Sequence, residues 1–174
     1  MIYDSNRRSL EGKISALSSA QGPHSVAGQP PTGELMRMIQ SILMELEKNP
    51  DNVDLQVQAG NAYFDIGQFD KAVGYYKSAS ALAPDNAEIL IDMGVSHFNL
   101  GQLDSALVFM QQALQIEDGH KQGLYNIGIV YYNLGRFDQA IQAWNELIQK
   151  HTNSAEAQAA KEFIEQLKKQ QSGT

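Results

Sequence analysis

The sequence predicts an all-α solenoid, a superhelix in which three helix-turn-helix units stack side by side. Several features recur at a single interval, which is the distance in sequence from Gly60 to Gly94. They are two series of glycines, one series of aromatic or histidine residues, one series of bulky apolar residues and one Asp-x-Ala pair. The recurring residues are Gly60, Gly94 and Gly128; Gly67, Gly101 and Gly135; Tyr63, His97 and Tyr131; Phe69, Leu103 and Phe137; and Asp70-Ala72, Asp104-Ala106 and Asp138-Ala140. A fixed period of this length is the signature of a repeat architecture.

The composition narrows the class of protein. Hydrophobic residues make up 43% and charged residues 19% of the 174 residues, which is enough apolar side chain to bury a core. The net charge of -7 argues against nucleic acid and against an anionic membrane surface as partners. No run of about 18 apolar residues occurs, so we expect no transmembrane segment in this chain. The absence of cysteine excludes disulfides, thiolate metal sites and cysteine nucleophiles.

Residues 1–33 are predicted to be an N-terminal arm followed by a largely flexible linker. Residues 18–33 contain three glycines and three prolines among several serines, a composition typical of linkers. In the arm, Tyr3, Leu10, Ile14 and Leu17 are spaced by seven, four and three residues, which favours a short helix or a coiled-coil seam. Two alternatives stay open for the arm, a frayed tail and a docked or self-associating segment.

Residues 34–52 are predicted to form a flanking helix with one apolar face. That face consists of Leu35, Met38, Ile39, Ile42, Leu43 and Leu46. Thr32 is placed to cap the helix and Pro50 to end it. We expect this helix to pack beside the first hairpin as an N-terminal half-unit.

The three units are predicted at residues 53–86, 87–120 and 121–154. The second glycine of each unit is expected to end the first helix by adopting positive φ. Asp70, Asp104 and Asp138 are then expected to cap the second helix through their side-chain oxygens. The first glycine and the alanine of the Asp-x-Ala pair are small residues, which suits a close approach between the two helices of one hairpin.

The residues of the first unit resemble the motif of the tetratricopeptide-repeat (TPR) family. They are Gly60, Tyr63, Gly67, Phe69, Ala72, Tyr76, Ala79 and Pro84. The sequence departs from that pattern at Gln56, Leu90 and Leu124, where the family has an aromatic residue. In the later units Leu147 replaces the small residue of the pattern, and Asp118 and Thr152 replace its proline. The flanking helix followed by Asn-Pro-Asp-Asn resembles bacterial envelope TPR proteins of the cytochrome c maturation type.

Residues 155–174 are predicted to form a C-terminal capping helix and tail. Ala159, Phe163, Ile164 and Leu167 make an apolar stripe that would cover the last unit, because an unstacked end of a solenoid exposes its core. The charged residues Glu156, Lys161, Glu162, Glu165, Lys168 and Lys169 are expected to face solvent.

The first helices carry a second apolar stripe with the spacing i, i+4, i+7, and the TPR resemblance implies that it lines a concave groove. The predicted peptide-binding residues are Val57, Asn61, Phe64, Asp65, Ile91, Asp92, Val95, Phe98, Asn99, Tyr125, Asn126, Ile129, Tyr132 and Asn133. We expect the aromatic residues to anchor a ligand and the asparagines to hold its backbone. The alternative is that part of the stripe is buried between neighbouring hairpins.

The expected ligand is a protein or peptide with apolar anchors and neutral or basic character. The carboxylate clamp of chaperone-binding TPR domains is excluded, since the matching positions are Val57, Asn61, Asp92, Gln122 and Asn126 and only Asn61 agrees. The four histidines are dispersed, so we expect no metal site, and no motif indicates a cofactor or a catalytic residue.

The sequence therefore predicts a non-catalytic scaffold or adaptor that binds a peptide or helix. The alternative function is self-assembly, in which the N-terminal arm mediates homo-oligomerisation. The compartment stays open between the cytoplasm and a bacterial periplasmic or membrane-tethered location, the latter with an anchor that is not in this chain.

Overall fold

A computed structural model of the chain describes residues 32–172, a range that contains eight α-helices. The helices are α1 (Thr32–Lys48), α2 (Val53–Asp65), α3 (Phe69–Leu82), α4 (Ala87–Asn99), α5 (Leu103–Ile116), α6 (Lys121–Asn133), α7 (Phe137–Lys150) and α8 (Ala155–Ser172). The predicted all-α class is confirmed. The predictions made for the arm and for most of the linker lie outside the described residues. None of the eight helices is long and apolar enough to cross a membrane.

The helices form two layers. Each helix packs on its neighbours along the chain, and α4 also contacts α6 while α6 contacts α8. No comparable contact joins α3, α5 and α7 to one another within residues 32–172. We therefore assign α4, α6 and α8 to the inner layer of the solenoid, together with α2, which has the same position in the repeat, and the odd-numbered helices to the outer layer.

Each inner helix begins after a residue whose side chain caps it. Asn52 accepts a hydrogen bond from the Leu55 N–H at 3.1 Å, and Asn86 accepts one from the Ile89 N–H at 3.3 Å. His120 Nδ1 accepts from the Gly123 N–H at 3.3 Å, and Ser154 accepts from the Ala157 N–H at 3.0 Å. These four residues occupy the same position in successive repeats and satisfy N–H groups that the helix leaves unpaired.

The turn inside each hairpin is built on a glycine with positive φ. Gly67, Gly101 and Gly135 have φ of +73°, +73° and +71°. The N–H of Gln68 donates to the Tyr63 carbonyl at 2.9 Å across this turn, which closes the end of α2. The prediction that the second glycine of each unit ends the first helix is confirmed.

The predicted aspartate caps of the outer helices are wrong. Asp70, Asp104 and Asp138 are the second residues of α3, α5 and α7. The residues that precede these helices are Gln68, Gln102 and Arg136, and none of them makes a side-chain capping bond. The glycine turn leads directly into the outer helix, so each aspartate lies in the first turn, where its charge interacts favourably with the helix dipole.

The first glycine of each unit makes room for a large side chain from the outer helix. A Cβ atom at Gly60 would lie 2.6 Å from the ring of Tyr76, and one at Gly94 would lie 2.9 Å from Met110 Cγ. Gly128 lies in the same way against Trp144. Since a real Cβ does not approach so closely, this position requires glycine, as predicted.

The helix α1 fits the repeat as the second helix of a preceding unit. Pro50-Asp51-Asn52 lies one repeat interval before Pro84-Asp85-Asn86. Leu35, Ile39, Ile42 and Leu46 are buried, and α1 packs on α2. Thr32, predicted as the cap, is already the first residue of the helix. Met38, predicted for the buried face, is 47% exposed, because it lies on the face that would meet a first helix in a complete unit.

The helix α8 covers the end of the array. Ala157, Ala160, Phe163, Ile164 and Leu167 are buried, and the Phe163 ring stacks on Trp144 at 5.2 Å between centroids. Glu156 was expected to face solvent, but it is buried and forms an ion pair with Lys121 at 3.0 Å. The reason is that α8 stands where the first helix of a fourth unit would stand, so its first turn packs on α6.

Candidate peptide-binding groove

The predicted ligand residues all lie on the inner helices α2, α4 and α6, and most of them are buried. Phe64, Ile91, Asp92, Val95, Tyr125, Asn126, Ile129 and Tyr132 are each at most 9% exposed. Val57, Asn61, Asp65 and Phe98 are partly exposed, and Asn99 and Asn133 are exposed. The buried members of the stripe belong to the core, as in the alternative that the sequence left open, and the assignment of the stripe to ligand binding stays a prediction.

The stripe is buried because the inner helices pack directly on one another. Ile91 of α4 and Leu114 of α5 both lie against Gly123 of α6, where a Cβ atom would be 3.3 Å from Ile91 Cδ1. Side chains of an inner helix that point away from their own hairpin therefore contact the next hairpin, which covers them from solvent.

The recurring aromatic residues at the ends of the inner helices also have a structural role. The Phe64 ring contacts Phe69 edge-on at 5.1 Å between centroids, and the Tyr132 ring contacts Phe137 at 5.6 Å. Each pair joins the last turn of an inner helix to the first residue of its outer helix. The row of aromatic residues is thus explained by the hairpin turns without a ligand.

Three asparagines give the surface its hydrogen-bonding character. Asn99 and Asn133 each donate one amide hydrogen to the carbonyl four residues earlier, at 2.8 Å. Asn61 accepts a bond from the Tyr76 hydroxyl at 2.6 Å. These bonds fix the orientation of the amides, so that Asn99 and Asn133 present a carbonyl oxygen and one N–H each, while Asn61 presents its amide N–H groups.

The inner helices α2 and α4 also carry carboxyl groups. Burial, and then the charge of Glu88, raise the pKa of Asp92 well above its usual value of 3.8. Burial raises the pKa of Tyr76 as well, and the charges of Asp92 and Asp65 act in the same direction. Glu88 is 2.8 Å from His120 Nε2, and this hydrogen bond raises the pKa of the imidazole. Asp65 of α2 and Asp92 of α4 are thus the two carboxyl groups whose charges act on Tyr76. We call the surface formed by Asp54, Val57, Asn61, Asp65, Glu88, Phe98, Asn99 and Asn133 the inner groove.

Asp92→Asn is expected to stabilise the protein at high pH only. Because the folded state raises the Asp92 pKa, the protonated acid contributes stability that is present below the ordinary pKa and is lost as the pH rises through the folded value. We expect Tm to increase by roughly 2–4 °C at about pH 8 and to change little at about pH 4. Thermal denaturation with Asp85→Asn, an exposed control, checks this. An equal gain at both pH values would contradict the burial of an ionisable acid here.

His120 lies at the edge of the inner groove and was not predicted there from the sequence. Its Nδ1 caps α6 while its Nε2 reaches Glu88, so it connects two inner helices at the edge of the inner groove. The signal was present, since Asn52, Asn86, His120 and Ser154 recur at the repeat interval and all have a side chain that accepts hydrogen bonds. Within residues 32–172, no group of three or more His, Asp or Glu side chains is placed to hold a metal ion.

Two family models match consecutive parts of the chain. A model described as TPR repeat matches residues 60–101, and one described as tetratricopeptide repeat matches residues 100–162. Together they cover more than half of the chain. No curated protein matches the sequence.

Several solved structures share the fold. One described as the crystal structure of MamA is 24% identical, with a TM-score of 0.67, and the match covers 77% of this chain and 81% of that one. MamA 41-end from Desulfovibrio magneticus RS-1 is 16% identical, with a TM-score of 0.66 over 71% of this chain and 70% of that one. The first TPR of Spaghetti (RPAP3), bound to the HSP90 peptide SRMEEVD, is 19% identical, with a TM-score of 0.62 over 66% and 91%. At these identities the likeness shows the fold.

Proposed function

Because this chain belongs to the tetratricopeptide-repeat family, we propose that it is a non-catalytic interaction module that binds a peptide or helix in the inner groove. The ligand we propose has apolar anchors and basic side chains. The observation that carries this proposal is the arrangement of carboxylates and fixed amides around Val57 and Phe98, the two partly exposed apolar residues of the groove.

The charge of the groove supports a basic ligand. Asp54 and Glu88 lie in the first turns of α2 and α4, and Asp65 is the last residue of α2. These carboxylates flank the apolar residues at both ends of the inner helices. Lysine and arginine side chains would complement them, which accelerates association and adds specificity. The amide oxygens of Asn99 and Asn133 would accept further N–H donors from the ligand.

The peptide bound in one of the similar structures can be compared in charge with the ligand that we propose. The peptide in the RPAP3 structure, SRMEEVD, has three acidic residues, and the TPR domain there binds it. An acidic peptide of this kind would be repelled by Asp54, Asp65 and Glu88. We therefore propose that the fold is shared while the charge preference is reversed. The resemblance of the flanks to envelope proteins of the cytochrome c maturation type stays a prediction.

The proposal is tested with two synthetic amphipathic peptides of equal length, one basic and one acidic. Both have Leu, Ile and Tyr at the spacing i, i+4, i+7, and they differ only in having Arg or Glu at the charged positions. We expect the basic peptide to bind, with an affinity that falls as salt increases, and the acidic peptide not to bind. Isothermal titration calorimetry on the full chain measures both affinities.

A matched pair of charge reversals then locates the site. Asp54 is the second residue of the inner helix α2, and Asp104 is the second residue of the outer helix α5, so both have the same local setting. Asp54→Lys is expected to weaken binding of the basic peptide at least tenfold, about 1.4 kcal/mol, and Asp104→Lys by less than twofold. Equal losses in the two variants, or equal binding of the acidic peptide, would overturn the proposal.

A further inference from the structure

The N-terminal arm has the chemistry that the inner groove is proposed to bind. Arg7, Arg8 and Lys13 lie among the apolar residues Tyr3, Leu10, Ile14 and Leu17. Residues 1–31 contain these three cationic side chains and two anionic ones, so the remainder of the chain has a net charge of -8. A basic segment with apolar anchors is thus part of the same molecule as the groove.

The connection is long enough for the arm to return to the groove. Residues 18–31 join the arm to α1, and a segment of this length spans up to about 46 Å when extended. An inner helix of 13 residues is about 20 Å long, and packed helices lie about 10 Å apart. The start of α1 lies towards the end of α2 that holds Asp65, because α1 and α2 are joined by a short loop and run antiparallel.

We propose that residues 3–17 bind in the inner groove of their own chain and compete there with the external ligand. This inference rests on the proposed function, and it adds a form of regulation. Arg7, Arg8 and Lys13 would pair with the carboxylates of the groove, and Leu10 and Ile14 would contact Val57 and Phe98. A segment tethered by a short linker has an effective concentration of the order of millimolar. An external ligand must therefore displace the arm before it binds.

The first experiment measures competition in the full chain. Reversing the arm charges with Arg7→Glu, Arg8→Glu and Lys13→Glu is expected to raise the affinity for the basic peptide at least tenfold. The matched control reverses Lys77, Arg136 and Lys168, which are exposed outside the inner groove, and therefore makes the same change in net charge. If the arm variant and the control bind the peptide equally, the arm does not compete and the inference fails while the proposed function stands.

The second experiment detects the arm in the groove without any added ligand. Because the chain has no cysteine, Ser18→Cys places a single spin label beside the arm. The sample is protein that carries both the isotope and the spin label, diluted with protein that carries neither. We expect NMR signals of the inner helices, such as those of Asn99 and Asn133, to broaden in this sample. Broadening that is absent, or confined to the outer helices, would overturn the inference.

Mixing experiments separate the remaining arrangements. Isotope-labelled protein without the spin label is mixed with spin-labelled protein that has no isotope. Broadening in this sample alone would mean that the arm binds a neighbour's groove, which contradicts binding within one chain and favours the self-assembly alternative. If neither peptide binds even to the arm variant while the intramolecular broadening persists, the proposed function fails and the contact of the arm stands.

Discussion

Trp144→Ala is expected to lower the free energy of unfolding by about 3–5 kcal/mol. Trp144 belongs to α7, and its side chain is fully buried against α6 and α8. Its ring lies against Gly128 and stacks on Phe163, and its indole N–H donates to the Tyr125 carbonyl at 3.2 Å. The substitution removes the packing of the third unit against the capping helix, and it also removes the indole hydrogen bond to the Tyr125 carbonyl.

Urea denaturation followed by far-UV circular dichroism measures this loss. Fluorescence is unsuitable because Trp144 is the only tryptophan. Val108→Ala, on the exposed face of α5, is the control and is expected to change stability by no more than about 0.5 kcal/mol. Since each unit of a solenoid contacts only its neighbours, hydrogen exchange should increase first in α6, α7 and α8. A loss below about 1 kcal/mol would contradict the role of Trp144 as the main contact of this end.

Ala106→Leu is expected to destabilise the protein by roughly 1–3 kcal/mol through overpacking. Ala106 is fully buried where α5 crosses α4, and its carbonyl oxygen lies 3.3 Å from the position of a Cβ at Gly94. A leucine side chain has no space at this crossing, so the helices of the second hairpin must separate. Ala81→Leu adds the same atoms to an exposed position of α3 and should have little effect. The same denaturation measurement decides the matter, and equal stabilities of the two variants would mean that the hairpin is not closely packed.

The hairpin geometry could be predicted from the sequence because it depends on residues whose role is local. A residue at positive φ and a residue without a side chain at a helix crossing both favour glycine, so Gly67 and Gly60 identify a turn and a crossing by themselves. Their recurrence at the repeat interval then places the same features in the second and third units.

The accessible part of the groove could not be predicted in this way. Ile91 and Val95 have the spacing of a helix face, but the spacing does not reveal that α6 covers that face. Likewise Phe64 and Tyr132 each pack on the first residue of the next helix. The repeat period alone does not distinguish aromatic residues with this structural role from aromatic residues of a ligand site. Burial depends on how neighbouring hairpins stack, and this follows from their three-dimensional arrangement.

The aspartates illustrate the same limit at the level of one residue. Asp70 was predicted to cap α3 because aspartate is a favoured capping residue, yet α3 begins one residue earlier, at Phe69. The turn at Gly67 already fixes the entry of the chain through the bond from Gln68 to the Tyr63 carbonyl, so no side-chain cap is required there.

The claim that the inner groove is the ligand-binding surface can be tested by NMR mapping of the basic peptide on the full chain. Phe98 contacts both core clusters, so a substitution there would not separate binding from folding, whereas mapping requires no substitution. We predict that the amide signals that shift on titration belong to the inner helices and include those of Asn61, Asn99 and Asn133. Shifts confined to the outer helices α3, α5 and α7 would contradict the claim.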